Sequence, residues 1–398
     1  MYNKATIRQS MSINCAGYIN HTNINKDNYF FKIINIIVDT RLSALPQHSL
    51  IQAFPRMKRH IGNFASKHLS TKNIIRVSSL FGYYLPTFLI THIDIEPIAT
   101  CDLKCGFCNV PGWDRARKTK PLPLASFKKV IDSFPYVNRI KLQGMGEPLL
   151  NRNIPEMIAY ASQKNIRTSI ISHGGLLTPD LSARLINANL SSINFSFDGG
   201  TKETYEKVRV NANFEHTVTN IRDLRRLRDR HMTPLRIGLT CLISNPQILK
   251  EIPDLVELAS DLQVDTLHIK ARLKQWEELS DGGYTFRVTT NDEYSSFDRI
   301  KKEAIKLSKT LNLRLTIGDS EDLFTDENPC SWPWRSMYIS TEGYVVPCCV
   351  NGMPETWNMG FIQDQPLSKI WNCREYRTLR KSLNSPHKPR TCIGCHQC

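Results

Sequence analysis

The stretch Cys101-Asp-Leu-Lys-Cys105-Gly-Phe-Cys108 decides how this 398-residue chain is interpreted. It follows residues 91–98, which form a predicted strand, so the three cysteines are expected in a loop. Thiolates with three and then two residues between them can hold one face of an iron-sulfur cube, whose irons normally take four cysteines. The fourth iron is then open to a substrate or a cofactor. The alternative is a zinc site that borrows a fourth ligand from elsewhere.

Outward from this loop, short runs rich in β-branched or apolar residues alternate with helical stretches. The predicted strands are 91–98, 141–144, 167–172, 191–198, 236–244 and 265–270, and the predicted helices are 124–133, 154–164, 181–187, 202–209, 214–228 and 247–262. This alternation favours a parallel α/β sheet or barrel with about six repeats. A later helix is predicted at 293–310.

Composition excludes several classes of protein. With 41% hydrophobic and 22% charged residues the chain is neither disordered nor a membrane bundle, and no apolar run approaches the ~18 residues of a membrane span. The first residues lack the order of a secretory signal, which predicts a cytoplasmic location, and the clustering of most of the 12 cysteines favours metal sites over disulfides. The net charge of +15 suits nucleic acid, a membrane surface or an anionic small substrate, and does not choose among them.

The cysteine spacing, placed after the first strand of a repeating βα pattern, resembles that of the radical S-adenosylmethionine (radical SAM) superfamily. The resemblance implies an α/β fold, a partial (β/α)6 TIM-like barrel, in which Cys101, Cys105 and Cys108 hold a 4Fe-4S cluster and S-adenosylmethionine chelates the open iron. Reductive cleavage of this cofactor gives a 5′-deoxyadenosyl radical, which abstracts a hydrogen from the substrate. Phe107 occupies the aromatic position near the adenine.

The run Gly144-Met-Gly146-Glu147-Pro148 is similar to the Gly-Glu-Pro motif of that superfamily. The resemblance implies that Gly146, Glu147 and Pro148 contact the methionyl ammonium group. Without the family, the same run predicts only a turn.

Two later strand ends extend the resemblance. Ser172 begins Ser-His-Gly-Gly where relatives carry Thr-Asn-Gly, so it is a candidate for a ribose or carboxylate contact, and His173 departs from the pattern. Alternation along 191–198 places Ser196 on the polar face that should line the barrel, where it is expected to contact the cofactor. Arg209 resembles the arginine that pairs with the methionyl carboxylate; the alternative is a charge on a helix surface.

Cys241 is the one catalytic candidate, since some epimerases of the superfamily use a barrel cysteine as a hydrogen donor. Alternation groups it with Ile237, Leu239 and Ile243 on the face that should pack against helices. A buried core cysteine is therefore the favoured interpretation.

The cysteine-rich tail resembles the SPASM module of many radical SAM enzymes, including its Cys-x(9 to 15)-Gly-x4-Cys element. The resemblance implies one auxiliary 4Fe-4S cluster held by four tail cysteines, assigned as Cys330, Cys348, Cys392 and Cys395. Three other thiols remain, Cys349, Cys373 and Cys398, and any of them could replace an assigned ligand or hold a second, incomplete cluster. A structural zinc ribbon is the other alternative.

These patterns divide the chain into a helical extension of unassigned function (1–90), the barrel (91–290), a linker with a helix (291–327) and the SPASM-type domain (328–398). The predicted function is hydrogen abstraction from a small biosynthetic intermediate, with oxidation or epimerisation as the outcome. The alternatives are a maturase of a ribosomally made precursor peptide, a non-catalytic iron-sulfur electron-transfer protein and an RNA-modifying enzyme. The predicted partners are the small-molecule or peptide substrate and an electron donor such as flavodoxin or ferredoxin, without a membrane and with nucleic acid disfavoured.

Overall fold

The computed structural model describes residues 70–108, 110–112, 119–270, 291–318, 330–349, 352–389 and 392. All of them lie in one compact unit, Phe54–Cys398. The expected helical extension lies outside the described residues except for its last 21 positions, 70–90, and so do Cys395 and Cys398.

One sheet organises the described residues. Its strands are β1 His92–Ile95, β2 Arg139–Leu142, β3 Arg167–Ser172, β4 Ser192–Ser196, β5 Arg236–Leu242, β6 Thr266–Lys270, β7 Arg314–Ile317, β8 Ser336–Ile339, β9 Tyr344–Val346 and β10 Gly360–Phe361. Their order is β10-β9-β8-β1-β2-β3-β4-β5-β6-β7. Every pairing from β8 through β7 is parallel, and β9 and β10 extend the β8 edge in antiparallel pairing.

Helices connect most of the parallel strands. They are α1 Thr71–Leu80, α2 Leu124–Asp132, α3 Ile154–Gln163, α4 Pro179–Asn187, α5 Lys202–Val208, α6 Phe214–Arg230, α7 Pro246–Lys250, α8 Ile252–Asp261, α9 Asn291–Thr310, α10 Trp332–Arg335, α11 Leu367–Trp371 and α12 Arg374–Leu383. Short 3-10 turns lie at Thr87–Leu89, Val110–Gly112 and Pro148–Leu150. Within the described ranges no helix combines the length and the apolar character that crossing a membrane requires.

The two faces of the sheet differ in chemistry. One face is apolar and fully buried, and it includes Ile93, Ile140, Ile170, Ile193, Phe195, Ile237, Leu239, Cys241 and Leu267, each at most 1% exposed. The opposite face carries half-buried polar side chains, among them Lys141, Ser169, Asn194, Ser196, Thr240 and His268. Because side chains alternate along a strand, this division is the one that an α/β barrel predicts, with helices outside and a polar interior.

A repeated turn joins the helices to the strands that follow. Five helices are followed by a residue with positive φ two to four positions before the next strand: Asn165, Asn189, Met232, Gln263 and Asn312, with φ between 49° and 65°. Such left-handed residues close a helix C-terminus by capping its last carbonyls. Because α9 ends with the same type of left-handed residue before β7, α9 and β7 form a further repeat of the barrel pattern.

Two features depart from the sequence-based expectations. The segment 291–327, expected as a linker with a helix, adds strand β7 to β6 in parallel register, and β8 of the tail pairs with β1 from His92↔Ser336 to Ile95↔Ile339. The predicted helix 247–262 is two helices that meet at Glu251. Proline at position 253 has no N–H to donate, which favours the break at this point.

Candidate active site

The three barrel cysteines lie in the loop that follows β1. Two backbone N–H groups of this loop, those of Lys104 and Gly106, donate to the carbonyls of Val210 and Val208 at 3.0 and 3.2 Å, which ties the loop to the end of α5. The N–H of Cys108 donates to the carbonyl of Cys105 at 3.0 Å and closes a turn. These backbone hydrogen bonds fix the shape of the loop.

All three thiols are half-buried, and their electrostatics suit a metal cluster. Burial raises the pKa of Cys101 to about 12 and that of Cys105 to about 11, and burial also raises the pKa of Cys108. Each thiolate therefore needs a nearby positive charge, which iron coordination supplies directly. The three thiolates would be unfavourable as isolated anions and favourable as iron ligands, so these residues fit the expected cluster.

The Gly-Met-Gly-Glu-Pro run packs directly on the residues before Cys101. The N–H of Glu147 donates to the carbonyl of Thr100 at 2.9 Å, and a Cβ on Gly146 would collide with the carbonyls of Thr100 and Ile98. Glycine at 146 is therefore required by the close approach of two backbones. The loop that follows β2 is thus fixed against the cysteine loop.

The carboxylate of Glu147 is 3% exposed and has two backbone donors. Its Oε1 accepts from the N–H of Leu149 at 3.1 Å, and its Oε2 accepts from the N–H of His173 at 2.9 Å. Glu147 therefore joins the ends of β2 and β3, and Pro148 beside it is buried. A contact of this carboxylate with the methionyl ammonium stays a prediction.

Arg209 follows α5 and is 7% exposed, so it is not a charge on a helix surface. Its Nη2 donates to Asp198 Oδ2 at 2.5 Å and its Nη1 to Cys105 Sγ at 3.8 Å, with the guanidinium 5.9 Å from the centre of the Phe107 ring. The buried Nε has no hydrogen-bond partner among the described residues. An unsatisfied donor beside the cysteine loop fits a bound carboxylate.

In the tail, Cys330, Cys348, Cys373 and Cys392 are half-buried. Cys373 caps α12, with its Sγ accepting from the N–H of Tyr376 at 3.4 Å. Burial raises the pKa of Tyr376, the charge of Arg380 lowers it, and the charges of Cys373 and Cys348 raise it. The buried hydroxyl of Tyr376 lacks a hydrogen-bond partner in the described part of the chain.

Comparison with known families agrees with both sites. A family model described as the radical SAM superfamily matches residues 95–240, and one described as an iron-sulfur cluster-binding domain, SPASM, matches residues 330–398. The chain therefore contains a radical SAM domain followed by a SPASM domain. Its two domains imply 4Fe-4S clusters and S-adenosylmethionine as cofactors.

Individual relatives of this chain differ in the activities that their names give. A probable GTP 3′,8-cyclase of Methanocaldococcus jannaschii is 27% identical, over 62% of this chain and 81% of its own length. An AdoMet-dependent heme synthase of Methanosarcina barkeri is 26% identical, over 75% of this chain and 89% of its own length. The structure of SuiB from Streptococcus suis bound to the precursor peptide SuiA has a TM-score of 0.62 at 13% identity, covering 93% of this chain and 82% of SuiB. This last likeness shows the fold alone.

The remaining predicted cofactor residues fall into two groups: those that support the local fold and those whose side chains are still accessible. Ser172 is 2% exposed, and its Oγ accepts from the N–H of Gly174 at 3.0 Å, so its hydroxyl shapes the turn after β3. Ser196 is half-buried on the inner face of β4, and Phe107 is half-buried beside Arg209. Cys241 is fully buried in the core on the opposite face of the sheet.

Sequence reasoning missed the role of Asp102 and noted His173 only as a departure. His173 Nδ1 accepts from the N–H of Gly175 at 3.0 Å, so the proton lies on Nε2, which is 3.0 Å from Asp102 Oδ1 and 3.5 Å from Glu147 Oε2. Burial opposes the charged ring, but the hydrogen bond to Asp102 and the charge of Glu147 raise the pKa of His173. The buried histidine thus links the cysteine loop to the Gly-Glu-Pro loop of this radical SAM domain.

Glu96, directly after β1, was also missed. Its fully buried carboxylate accepts from the N–H of Met145 at 3.1 Å through Oε1 and from the N–H of Thr341 at 3.2 Å through Oε2. Met145 belongs to the Gly-Glu-Pro loop and Thr341 to the turn between β8 and β9. One carboxylate therefore connects the radical SAM domain to the SPASM domain, and only the tertiary pairing of β8 with β1 brings its two partners together.

Proposed function

We propose that this radical SAM enzyme abstracts a hydrogen atom from a small biosynthetic intermediate, which is oxidised or epimerised. The observation that carries the proposal is the polar, half-buried inner face of the strands below the cysteine loop, with Asn194, Ser196, Thr240 and His268. Such a lining offers hydrogen bonds to a polar molecule inside the barrel. A non-catalytic electron-transfer protein has no use for a lined interior of this kind.

Each site residue has a role in this proposal. Cys101, Cys105 and Cys108 would hold the 4Fe-4S cluster, which with S-adenosylmethionine supplies the hydrogen-abstracting 5′-deoxyadenosyl radical. Glu147 would meet the methionyl ammonium, and the free Nε of Arg209 points to a carboxylate partner. Asp198 holds the guanidinium in place and so orients this contact.

Oxidation is the outcome that the residues favour. Epimerisation requires that a hydrogen be returned to the substrate, and Cys241, the candidate donor, is fully buried on the helix-facing side of the sheet. Oxidation instead requires removal of an electron, for which the tail thiols Cys330, Cys348, Cys392 and Cys395 would provide an auxiliary cluster as acceptor. An external one-electron donor such as flavodoxin or ferredoxin would supply the electron that cleaves S-adenosylmethionine. The auxiliary cluster would pass the substrate's electron to an external acceptor or back to the barrel cluster, and the substrate would lose its proton to solvent.

Production of 5′-deoxyadenosine tests the proposal. The full chain, reconstituted anaerobically with iron and sulfide, is incubated with S-adenosylmethionine, reduced flavodoxin and a protein-free extract separated by size into small-molecule and peptide fractions. We expect the small-molecule fraction to increase 5′-deoxyadenosine formation, and the variant with Cys101, Cys105 and Cys108 changed to Ala to form none. Stimulation by the peptide fraction alone would establish a peptide substrate instead. No 5′-deoxyadenosine with any fraction would refute the enzymatic function.

A further inference from the structure

Two lysines project from opposite sides of the barrel onto its inner face. Lys141 lies in β2 and pairs in register with Ser169 of β3, while Lys270 is the last residue of β6 and pairs with Leu242 of β5. The register continues through Ser192, which pairs with both Ser169 and Arg236. Residues paired in this way share a face, so both lysines lie on the face opposite the buried apolar side chains.

Both lysines lie near the carboxyl ends of their strands: Lys141 is half-buried one residue before the end of β2, and Lys270 is exposed at the end of β6. Partial loss of solvent lowers the pKa of Lys270, and the charge of Lys141 lowers it further. Strands β3, β4 and β5 separate β2 from β6, a distance of roughly 19 Å in a flat sheet with strands about 4.8 Å apart. Because the strands of a barrel curve around one interior, the shared face of β2 and β6 directs both side chains toward that interior from opposite sides.

Neither lysine is in a close ion pair. In the described ranges no carboxylate forms an ion pair with Lys141 or Lys270. Burial lowers the pKa of Lys141 and the charge of Asp94, which pairs in register with it, raises that pKa, but the oxygens of Asp94 already accept hydrogen bonds from His92 at 2.7 Å and from Gln143 at 2.6 Å.

The remaining acid near Lys270 is also occupied. Asp198 is held by Arg209 at 2.5 Å and accepts from the N–H of Leu242 at 2.7 Å. On the other side, His268 lies two residues before Lys270 on the same face, and its pKa is lowered by burial and by the charges of Lys270 and Arg314. Basic groups thus outnumber available acids at this end of the interior.

We propose that Lys141 and Lys270 form an anion subsite on the inner face of the barrel, where they bind a carboxylate or phosphate group of the substrate. The inference rests on the proposed function and names a chemical class for its substrate. Two like charges that face the same interior without a close ion-pair partner are stabilised by a bound anion. Lys270 ends β6, and the carboxyl ends of parallel strands are where such folds bind their ligands.

Binding of simple anions tests the subsite without turnover. The reconstituted full chain, saturated with S-adenosylmethionine and kept oxidised, is titrated at low ionic strength with orthophosphate in one arm and glutarate in the other, by calorimetry. We expect Lys141→Met and Lys270→Met each to weaken binding of the preferred anion by about tenfold or more, the loss typical of a charge-assisted contact. The preferred arm distinguishes a phosphate from a carboxylate.

Control variants separate the subsite from general charge and folding effects. Lys129→Met removes one positive charge from the exposed surface of α2 and is expected to bind the anions as the wild type does. Lys141→Arg, which keeps the charge, is expected to restore most of the affinity. Iron content and circular dichroism of each variant show whether the barrel is intact.

Three results would overturn the inference. The first is the absence of saturable binding of either anion. The second is a loss of anion affinity in Lys129→Met equal to that in Lys141→Met and Lys270→Met. The third is that the two inner-face variants lose affinity for S-adenosylmethionine and keep their affinity for the anions. The last result would assign the lysines to the cofactor. Because no reductant is present, failure here leaves 5′-deoxyadenosine formation to be judged separately, so the subsite and the proposed function are tested independently.

Discussion

The barrel cysteines and the tail cysteines differ in how the chain brings them together. Cys101, Cys105 and Cys108 lie within eight residues of one loop, whose backbone is fixed by α5 and by the Gly-Glu-Pro loop. The tail cysteines come from separate elements: Cys348 follows β9, and Cys373 caps α12. Local spacing therefore predicts the first ligand set, whereas the second depends on tertiary packing that spacing does not encode.

The largest effect is expected from removal of the local ligand set. Changing Cys101, Cys105 and Cys108 together to Ala should abolish 5′-deoxyadenosine formation and lower the iron content by about four per chain, from about eight with both clusters present. The tail should keep its share, because no described contact of the tail depends on these thiols. Iron analysis and absorbance after anaerobic reconstitution measure both. Stoichiometric zinc without iron in the wild type would contradict both cluster assignments.

Variants of the tail test the second ligand set, which sequence spacing does not define. Cys330→Ala should lose about four irons and all conversion of the true substrate, but keep some reductive cleavage of S-adenosylmethionine, because the barrel site is separate. Cys373→Ala is the comparison and should keep its iron if Cys330, Cys348, Cys392 and Cys395 are the ligands. Loss of iron in Cys373→Ala would place that thiol in the ligand set. Wild-type conversion of the substrate by a folded Cys330→Ala variant would show that the tail has a structural role only.

The sequence predicts the βα repeats because each one is encoded locally, by an apolar strand, an amphipathic helix and a turn. The six predicted strands all lie in the sheet, and Ser196 faces the interior as alternation predicts. Strands β7 and β8 were not predicted: β7 has no fully buried residue that would mark it, and β8 pairs with β1, whose residues lie more than 240 positions earlier in the sequence. The same holds for Glu96, whose two backbone donors lie 49 and 245 residues away.

A smaller effect is expected at the buried ion pair beside the cysteine loop. Arg209→Ala leaves the carboxylate of Asp198 buried without its cation, and breaking such a pair costs about 3–5 kcal/mol of the free energy of unfolding. Affinity for S-adenosylmethionine should also fall. Denaturant unfolding and calorimetry measure the two effects.

The double variant Arg209→Ala/Asp198→Ala separates stability from binding. It should recover part of the stability, since no lone charge remains, but not the affinity for the cofactor. Wild-type affinity in Arg209→Ala would show that the guanidinium only supports Asp198 and Cys105.

The smallest effect is expected at Glu96, where the two regions meet. Glu96→Gln keeps the size of the side chain but replaces one of the two accepting oxygens with an NH2 group that faces a backbone N–H, either that of Met145 or that of Thr341. A buried donor left without an acceptor costs about 1–3 kcal/mol. Denaturant unfolding of the full chain measures the loss. Glu156→Gln is the matched control, because its ion pair with Arg184 is exposed and contributes under about 1 kcal/mol.

Since Glu96 touches both the Gly-Glu-Pro loop and the β8–β9 turn, the Glu96→Gln variant should both weaken S-adenosylmethionine binding and lower the iron content of the tail. If only one of these changes, the barrel and the tail fold and bind independently, and the shared sheet does not couple them.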